Sequence, residues 1–264
     1  MITSFANAKV KQVVSWQNKA KERRKDNVFL AEGIKMYEEA PKESVREVYI
    51  IEETRKKMEE HPALWEKLQQ TGYEIVSEEV FAKMSDTQTP QGILTVLQRP
   101  EYSLEELLKR KNPLFVVLED LQDPGNLGTI VRTGEGAGVT AVIMSKNTVD
   151  IFNPKTIRAT MGSIYRVPFV YTESMEDTIK SLHNAGVKTY AAHLKGDTYY
   201  SSFSFREPTA FLIGNEGNGL KKSTADVASA YLKIPMEGQV ESLNAAIATS
   251  LLMYEAHRQR KGEY

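Results

Sequence analysis

Short apolar runs alternate with amphipathic stretches along the whole chain of 264 residues. The run Leu114–Leu118 is apolar at every position, which is typical of a strand covered on both faces. Between such runs, apolar residues recur every three or four positions, which indicates helices with one buried face. This alternation predicts an α/β fold with mainly parallel strands. The other predicted strands cover residues 28–31, 45–51, 73–76, 92–97, 140–144, 189–192, 209–213 and 231–234, and the predicted helices cover 32–40, 53–70, 127–137, 154–161, 175–185, 218–225 and 243–260.

The apolar pattern is interrupted between residues 99 and 113, where Pro100, a stretch rich in Glu and Lys, and Pro113 occur. A chain of this length corresponds to about two domains of roughly 150 residues each. We therefore place a boundary near residue 105 and expect a smaller domain at 1–105 and a larger one at 106–264.

The formal net charge is -1, which argues against a wholly basic nucleic-acid-binding protein. Residues 1–30 nevertheless contain seven Lys or Arg side chains and only two acidic ones. Taken alone, such a run is best explained as a solvent-exposed helix face. The more specific alternative is an arm that binds anions.

The chain has no cysteine, which excludes disulfides, Cys-ligated zinc and thiol nucleophiles. Its four histidines are scattered without the spacing of metal ligands, so we predict no metal site. The first residues lack the apolar core of a signal peptide, and no apolar run approaches the roughly 18 residues of a membrane span. We expect a protein of the reducing cytoplasm with no membrane partner.

Three segments rich in Gly, Asn, Ser or charge, residues 123–132, 213–220 and 234–244, each follow a predicted strand. Loops at the carboxyl ends of strands are where open α/β sheets bind ligands. Clustered glycines let the backbone approach a ligand closely. The three segments are therefore predicted to form one ligand site from distant parts of the chain.

In the first segment, Asn126 alone is best explained as a helix cap in an ordinary turn. Arg132 follows within about two turns of a helix that starts there, which places it near the crevice at the strand ends. Its guanidinium offers several donors and a permanent positive charge, which suit a phosphate or a developing alkoxide.

In the second segment, Gly214 and Gly219 have the spacing of a phosphate-binding P-loop, but the Lys that such a loop needs is out of register. NTP hydrolysis and dinucleotide redox chemistry are therefore disfavoured, and Glu216 is either a structural cap or a site residue. In the third segment, Ser242 and Asn244 taken singly are best explained as a helix start. With no G-x-S-x-G elbow, a nucleophilic hydrolase has little support.

Taken in order, N-x-G-x-x-x-R at 126–132, I-G-N-E-G-x-G-L at 213–220 and I-P-M-x-G-x-x-x-S-L-N at 234–244 resemble three motifs of one family. The family is that of the SpoU, or TrmH-type, RNA 2'-O-ribose methyltransferases of the SPOUT superfamily. F-L-A-E-G at 29–33 and T-P-Q-G-I at 89–93 resemble pieces of its N-terminal RNA-binding domain, a small L30e-like α/β fold.

The resemblance implies a C-terminal parallel-sheet SPOUT domain with a deep trefoil knot that binds S-adenosylmethionine. It also implies a homodimer with active sites at the interface, and the small-residue helix at 244–250 would suit that packing. Motif position implies that the cofactor contacts are Ile213, Gly214, Glu216, Ile234, Met236 and Leu243, and that the catalytic group is Arg132, Asn126, Glu216, Ser242 and Asn244.

Methyl transfer from a sulfonium is an in-line displacement, so positioning of the ribose hydroxyl and stabilisation of its developing charge are expected to dominate catalysis. Arg132 is expected nearest the 2'-hydroxyl, as electrostatic stabiliser or proton relay. Because a guanidinium is effectively always protonated, the stabilising role is favoured. Asn126 is expected to hold Arg132 or an RNA phosphate. The residues expected to orient the site by hydrogen bonds are Glu216, Ser242 and Asn244.

The sequence therefore predicts an RNA 2'-O-ribose methyltransferase. We favour 23S ribosomal RNA over tRNA as substrate because a separate RNA-binding domain is present. The competing class is a non-catalytic RNA-binding or ribosome-assembly protein with the same fold, and a P-loop-like NTPase is a third class.

Overall fold

The computed structural model describes residues 1–194 and 196–262. The chain forms two compact units. The first comprises residues 1–100 together with 150–165, and the second runs from Glu101 to Val149 and from Arg166 onward.

The elements fall into two groups along the chain. Up to residue 100 they are α1 (Ala8–Asn18), α2 (Ala20–Lys25), β1 (Val28–Glu32), α3 (Ile34–Glu39), β2 (Val45–Ile50), α4 (Glu52–Glu59), α5 (Pro62–Thr71), β3 (Glu74–Ile75), α6 (Glu78–Met84) and β4 (Ile93–Gln98). From residue 101 they are α7 (Leu104–Leu108), β5 (Leu114–Leu118), α8 (Pro124–Ala137), β6 (Ala141–Ser145), α9 (Pro154–Thr160), β7 (Phe169–Thr172), α10 (Met175–Asn184), β8 (Lys188–Ala192), β9 (Thr209–Ile213), α11 (Lys222–Asp226), β10 (Ala230–Leu232) and α12 (Ala245–Lys261).

The first unit is built on a four-stranded sheet in the order β1-β4-β2-β3. The expectation of mainly parallel pairing is wrong here, because β4 runs antiparallel to both β1 and β2. The turn before β4 explains this direction, since Gly33 N–H donates to the Ile93 carbonyl and Ile51 N–H donates to the Gly92 carbonyl. Thus β4 starts where β1 and β2 end. At Gly92, φ is 76° and a Cβ would lie 2.2 Å from the Thr54 hydroxyl, so this turn requires glycine.

The second unit contains a six-stranded, wholly parallel sheet in the order β10-β8-β9-β5-β6-β7. Its central strands β5, β6 and β9 are buried along their whole length, as their continuous apolar sequences predict. From β5 the chain continues to β6 on one side, and from β9 it continues to β10 on the other. The switch point of the sheet therefore lies between β5 and β9, where Leu118 pairs with Ile213 at the carboxyl ends.

Several boundaries differ from the sequence prediction. The helix predicted at 53–70 is two helices, because His61 is extended and Pro62 starts α5. The helix predicted at 218–225 begins at Lys222, since Asn215 and Gly219 close a tight turn before it. Strand β7 was not predicted. Within the described residues, no helix has both the length and the apolar character needed to cross a bilayer.

Candidate active site

The candidate site lies at the carboxyl ends of β5 and β9, the switch point of the second sheet. Ligands of open α/β sheets bind in the crevice outside such a point. Segment 119–126 leaves β5 there, and segment 214–221 leaves β9 beside it. Glu119 N–H continues the ladder with a 2.8 Å hydrogen bond to the Ile213 carbonyl, which holds the two segments side by side.

The first segment starts helix α8 three residues earlier than the sequence suggested. Asp123, not Asn126, is the N-cap, and its carboxylate accepts a 2.7 Å hydrogen bond from Asn126 N–H. Pro124 occupies the first helical position, where a missing N–H costs nothing. Capping by Asp123 leaves the side chain of Asn126 available for other contacts. It also places Arg132 in the third turn of α8, slightly farther from the helix start than predicted.

The three predicted segments meet in one hydrogen-bond network. The Glu216 carboxylate accepts from the backbone N–H of Gln122 at 3.1 Å, from that of Asp123 at 3.0 Å and from Asn126 Nδ2 at 3.1 Å. Asn244 Nδ2 donates to Asn126 Oδ1 at 2.9 Å. Asn126 thus links Glu216 of the second segment to Asn244 of the third, and we refer to these three side chains as the amide–carboxylate network.

The charge state of Glu216 follows from these partners. Partial desolvation of its carboxyl favours the neutral form, but the N–H groups of Asp123 and Gln122 and the amide of Asn126 outweigh it and hold the pKa of Glu216 below its ordinary value. Glu216 is therefore an anion near neutral pH. An ionised carboxylate only accepts hydrogen bonds, so the Asn126 amide is fixed with its nitrogen toward Glu216 and its oxygen toward Asn244.

A second cluster ties the loop after β9 to the end of β5. Asp120 has a left-handed backbone, with φ of 55°. Its carboxylate pairs with Lys221 Nζ at 2.6 Å and accepts from the Ser145 hydroxyl at 2.7 Å. The neighbouring carboxylate, Glu119, is buried and accepts from the Thr224 hydroxyl at 2.6 Å and from Lys221 N–H at 2.8 Å. These contacts fix the end of segment 214–221 at Lys221.

The turn within that segment is closely packed against itself. Asn215 and Gly219 exchange backbone hydrogen bonds of 3.1 and 2.9 Å. A Cβ at Gly214 would lie 2.0 Å from the Gly219 carbonyl carbon and 2.1 Å from Leu220 N. Gly214 is therefore needed for the turn itself, because no side chain fits between the two crossing backbones.

The third segment has a different character. In the described part of the chain, the backbone N–H and C=O groups of residues 235–243 form no hydrogen bond with protein groups. Ile234, Met236 and Leu243 are half-buried beside this exposed backbone. Ser242 is exposed and lies outside the amide–carboxylate network. Asn244 caps α12, since its Oδ1 accepts from Ala246 N–H at 2.9 Å and from Ile247 N–H at 3.2 Å.

Arg132 is exposed and, within the residues described, its guanidinium forms no hydrogen bond or ion pair. It lies one turn before Gly136 on the same face of α8. A Cβ at Gly136 would be 3.0 Å from the hydroxyl of Tyr254 on α12. Arg132 therefore forms no hydrogen bond to the amide–carboxylate network of its own chain, and it lies on the face of α8 whose Gly136 adjoins Tyr254 of α12.

Sequence reasoning did not select Asp123, Glu119, Asp120 or Lys221. A usable signal was present for two of them, because Glu119 and Asp120 directly follow the buried run of β5 and carboxylates are rarely placed there without partners. Among the described residues, no three His, Asp or Glu side chains are grouped as ligands for one metal ion.

Comparisons with known proteins agree with the motif assignment. Residues 113–254 match the SpoU rRNA Methylase family, and residues 7–95 match the MRM3-like substrate binding domain. The chain is 36% identical over 257 residues to the 23S rRNA (guanosine(2553)-2'-O)-methyltransferase RlmP of Bacillus subtilis (strain 168), covering 96% of this chain and 97% of that protein.

Two solved structures extend the likeness to the fold. The AdoMet-bound rRNA methyltransferase from Sinorhizobium meliloti has a TM-score of 0.87 and 31% identity, covering 97% of each chain. The SpoU methyltransferase AviRb from Streptomyces viridochromogenes in complex with the cofactor AdoMet has a TM-score of 0.83 and 26% identity, covering 98% of this chain and all of that one. The resemblance drawn from the three motifs is confirmed, and the chain belongs to the SpoU rRNA Methylase family.

Proposed function

We propose that this protein is an S-adenosylmethionine-dependent RNA 2'-O-ribose methyltransferase that acts on 23S ribosomal RNA. The observation that carries the proposal is the amide–carboxylate network, which joins one polar side chain from each of the three family motifs at the switch point. The relative from Bacillus subtilis is named for this reaction on 23S rRNA, and two structural relatives are named as bound to AdoMet.

The third segment fits such a cofactor. Residues 235–243 present unpaired backbone donors and acceptors, which suit the polar edge of an adenine and the hydroxyls of a ribose. The half-buried side chains of Ile234, Met236 and Leu243 supply apolar contacts beside them. We assign Ile213, Gly214 and Glu216, at the end of β9, to the same proposed pocket. When bound, S-adenosylmethionine supplies an electrophilic methyl group.

The methyl group would pass to the ribose O2' from the sulfonium, which would leave as a neutral thioether, and the hydroxyl proton would pass to solvent. The amide–carboxylate network fixes the walls of the site, so little reorganisation is needed at the moment of transfer. The free guanidinium of Arg132 stabilises negative charge on O2' as the proton leaves. Asn126 and Asn244 orient the network, and Ser242, which is exposed, contacts the RNA or cofactor directly.

We also propose that the active form is a homodimer. Ile247, Leu251 and Tyr254 on α12 are 52%, 39% and 50% exposed, although they are large apolar or aromatic side chains. Their spacing puts them on one face of the helix. A second copy that covers this face would also reach the adjacent α8 surface that carries Arg132, which supports a site completed at the interface.

Three further assignments accompany the proposal. Residues 1–105 form the RNA substrate-binding domain, and residues 106–264 form the methyltransferase domain. The C-terminal part is tied as a trefoil knot, which is supported by the return of α12 from the β10 side of the sheet to pack on α8. The protein works in the cytoplasm, where ribosomal RNA is available.

The test is a methyl-transfer assay with labelled S-adenosylmethionine on unmodified 23S rRNA and on tRNA, followed by nuclease mapping of the product. We expect one 2'-O-methyl nucleotide in 23S rRNA, and the position equivalent to guanosine 2553 is the first to examine. Calorimetry of S-adenosylmethionine binding separates the alternatives. Cofactor binding without transfer to either RNA would reject the rRNA substrate, and no cofactor binding would favour a non-catalytic RNA-binding protein.

A further inference from the structure

A concentrated basic surface lies at the junction of α1 and α2 in the first unit. Lys19, Lys21, Arg24 and Lys25 are all exposed there. Among the described residues, none of these four side chains forms an ion pair. We call this set the basic corner.

Exposed lysines elsewhere in the chain are commonly paired. Lys57 contacts Glu53 at 2.6 Å, Lys180 contacts Asp177 at 3.2 Å and Lys222 contacts Asp226 at 2.5 Å. Lys109 likewise lies 2.7 Å from Glu106. The basic corner therefore differs from these paired lysines, because none of its four cations forms an ion pair among the described residues, although Glu22 lies in the same helix, α2.

The fifth cation of the same run explains how the corner is held. Arg23 is 3% exposed, and its guanidinium donates to the Trp16 carbonyl at 2.6 Å and to the Asp150 carboxylate at 2.7 Å. The Trp16 indole N–H in turn donates to the Asp26 carboxylate at 2.7 Å. One of the two acidic side chains of the run is therefore already engaged in a hydrogen bond. Arg23 thus anchors the α1–α2 junction from inside, so the four outer cations are carried on a fixed backbone.

We propose that the basic corner is a docking surface for the phosphate backbone of the RNA substrate. The proposal rests on the proposed function for the identity of the polyanion. An anionic membrane is the other polyanion of this kind, but surface-bound helices need an exposed apolar face. Helix α1 instead buries Val10, Val13 and Trp16 in the core of the first unit. Charge without an apolar face fits nucleic acid.

Phosphate contacts release counterions, so they set how steeply RNA affinity falls with salt. Each neutralised phosphate contributes about 0.7 to 0.9 to the slope of log K against log salt concentration. If each of the four side chains neutralises one phosphate, removal of the corner lowers the magnitude of that slope by about 3. These contacts carry no base information, so the loss is uniform across RNA sequences.

The experiment compares a corner variant with a control of equal charge change. The corner variant combines Lys19→Gln, Lys21→Gln, Arg24→Gln and Lys25→Gln, and the control combines Lys57→Gln, Lys109→Gln, Lys180→Gln and Lys222→Gln. Binding of a full-length unmodified 23S rRNA transcript is measured from about 50 to about 200 mM salt. Melting temperature and S-adenosylmethionine affinity are measured on all three proteins to confirm folding.

We expect the corner variant to bind the transcript at least about tenfold more weakly at the lowest salt, with the reduced slope, while the control stays within about twofold of the parent. Equal losses in both variants, or none in the corner variant, would overturn the proposal. Binding of phosphatidylserine vesicles that is as tight as that of RNA, and is lost in the corner variant, would assign the surface to a membrane.

The outcome is separable from that of the proposed function. RNA binding that depends on the corner in a protein without methyl transfer would reject the enzyme and keep the docking surface. Methyl transfer with an unchanged Michaelis constant for RNA in the corner variant would keep the enzyme and reject the docking surface.

Discussion

The side-chain amide of Asn244 donates a 2.9 Å hydrogen bond to the side-chain oxygen of Asn126, although 118 positions separate the two residues. The other end of the Asn126 amide donates to Glu216 at 3.1 Å. Asn126 is therefore the central member of the network, and its two ends are not interchangeable. An isosteric change at this position tests whether that polarity matters.

Replacement of Asn126 by Asp removes the donor to Glu216 and sets two carboxylates against each other. A hydrogen bond to a charged group is worth about 1.5–3 kcal/mol, so we expect S-adenosylmethionine to bind roughly 10- to 100-fold more weakly. Calorimetry measures the change. The matched control is Asn184→Asp, an exposed residue at the end of α10. Unchanged affinity in Asn126→Asp would show that the network does not shape the cofactor pocket.

Two glycines in the loop after β9, Gly214 and Gly217, allow a steric test of this turn. Gly214→Ala puts a methyl group about 2 Å from the backbone of Gly219 and Leu220, so the turn must open. Gly217→Ala meets only the Asn215 side-chain oxygen, at 3.4 Å, an ordinary contact. We expect Gly214→Ala to abolish measurable cofactor binding and to lower the melting temperature, and Gly217→Ala to retain both. Similar behaviour of the two variants would contradict the assignment of this turn.

The sequence predicted the second sheet well because its strands are continuous apolar runs, and such runs have few alternatives in an α/β chain. The convergence of the three polar segments was also predictable, since polar segments after parallel strands meet at one edge of a sheet. The direction of β4 was not predictable from periodicity. It depends on the hydrogen bonds that the turn before β4 makes with the ends of β1 and β2, and those are tertiary contacts.

The hydrogen-bond partners of Asn126 could not be predicted from the sequence either, because they also depend on tertiary contacts. Both Asp123 and Asn126 are good helix caps, and only the structure decides that Asp123 takes this role. That choice releases the Asn126 amide for Glu216 and Asn244. The clusters around Asp120 and Glu119 join residues about 25 to 105 positions apart, so no local pattern could have paired them.

The pH response of the site depends on Glu216. Its pKa lies below the ordinary value of 4.5, so the ionised, hydrogen-bonded form is complete above that value and is lost as pH falls through the lowered pKa. We expect cofactor affinity to show no titration of Glu216 between about pH 5 and 8 and to fall only in more acidic solution. Calorimetry across this range, repeated on Glu216→Gln, checks the assignment. A midpoint near neutrality that disappears in the variant would contradict it.

The proposed dimer can be tested on α12. Leu251→Arg places a charge in the exposed apolar face formed with Ile247 and Tyr254, and an unpaired charge buried at an interface costs several kcal/mol. We expect the variant to sediment as a monomer and to lose methyl transfer. Phe5→Arg, at another exposed aromatic side chain, is the control and is expected to leave the assembly intact. A Leu251→Arg protein that stays dimeric would move the interface elsewhere.

Arg132 gives the most discriminating prediction because, among the described residues, it forms no hydrogen bond to Asn126 or Glu216 of its own chain. We expect Arg132→Ala to keep cofactor affinity within about twofold and to slow transfer at least about 100-fold, as loss of a charge-stabilising donor does. Arg132→Lys keeps the charge without the planar fork, so it is expected to recover part of the rate. Arg110→Ala, an exposed arginine without an ion pair among the described residues, is the control.

Mixed dimers then decide which subunit supplies the guanidinium. If Arg132 acts across the interface, a dimer of one Arg132→Ala subunit and one Asn126→Asp subunit has both defects in one site and none in the other. Such a dimer is expected to recover up to half of the parent activity. If Arg132 acts within its own chain, every site carries one defect, and at a cofactor concentration too low to fill Asn126→Asp sites the mixture stays inactive. Because its guanidinium is exposed beside the apolar face of α12, we expect recovery, and an inactive mixture that is shown to contain mixed dimers would return Arg132 to its own subunit's site.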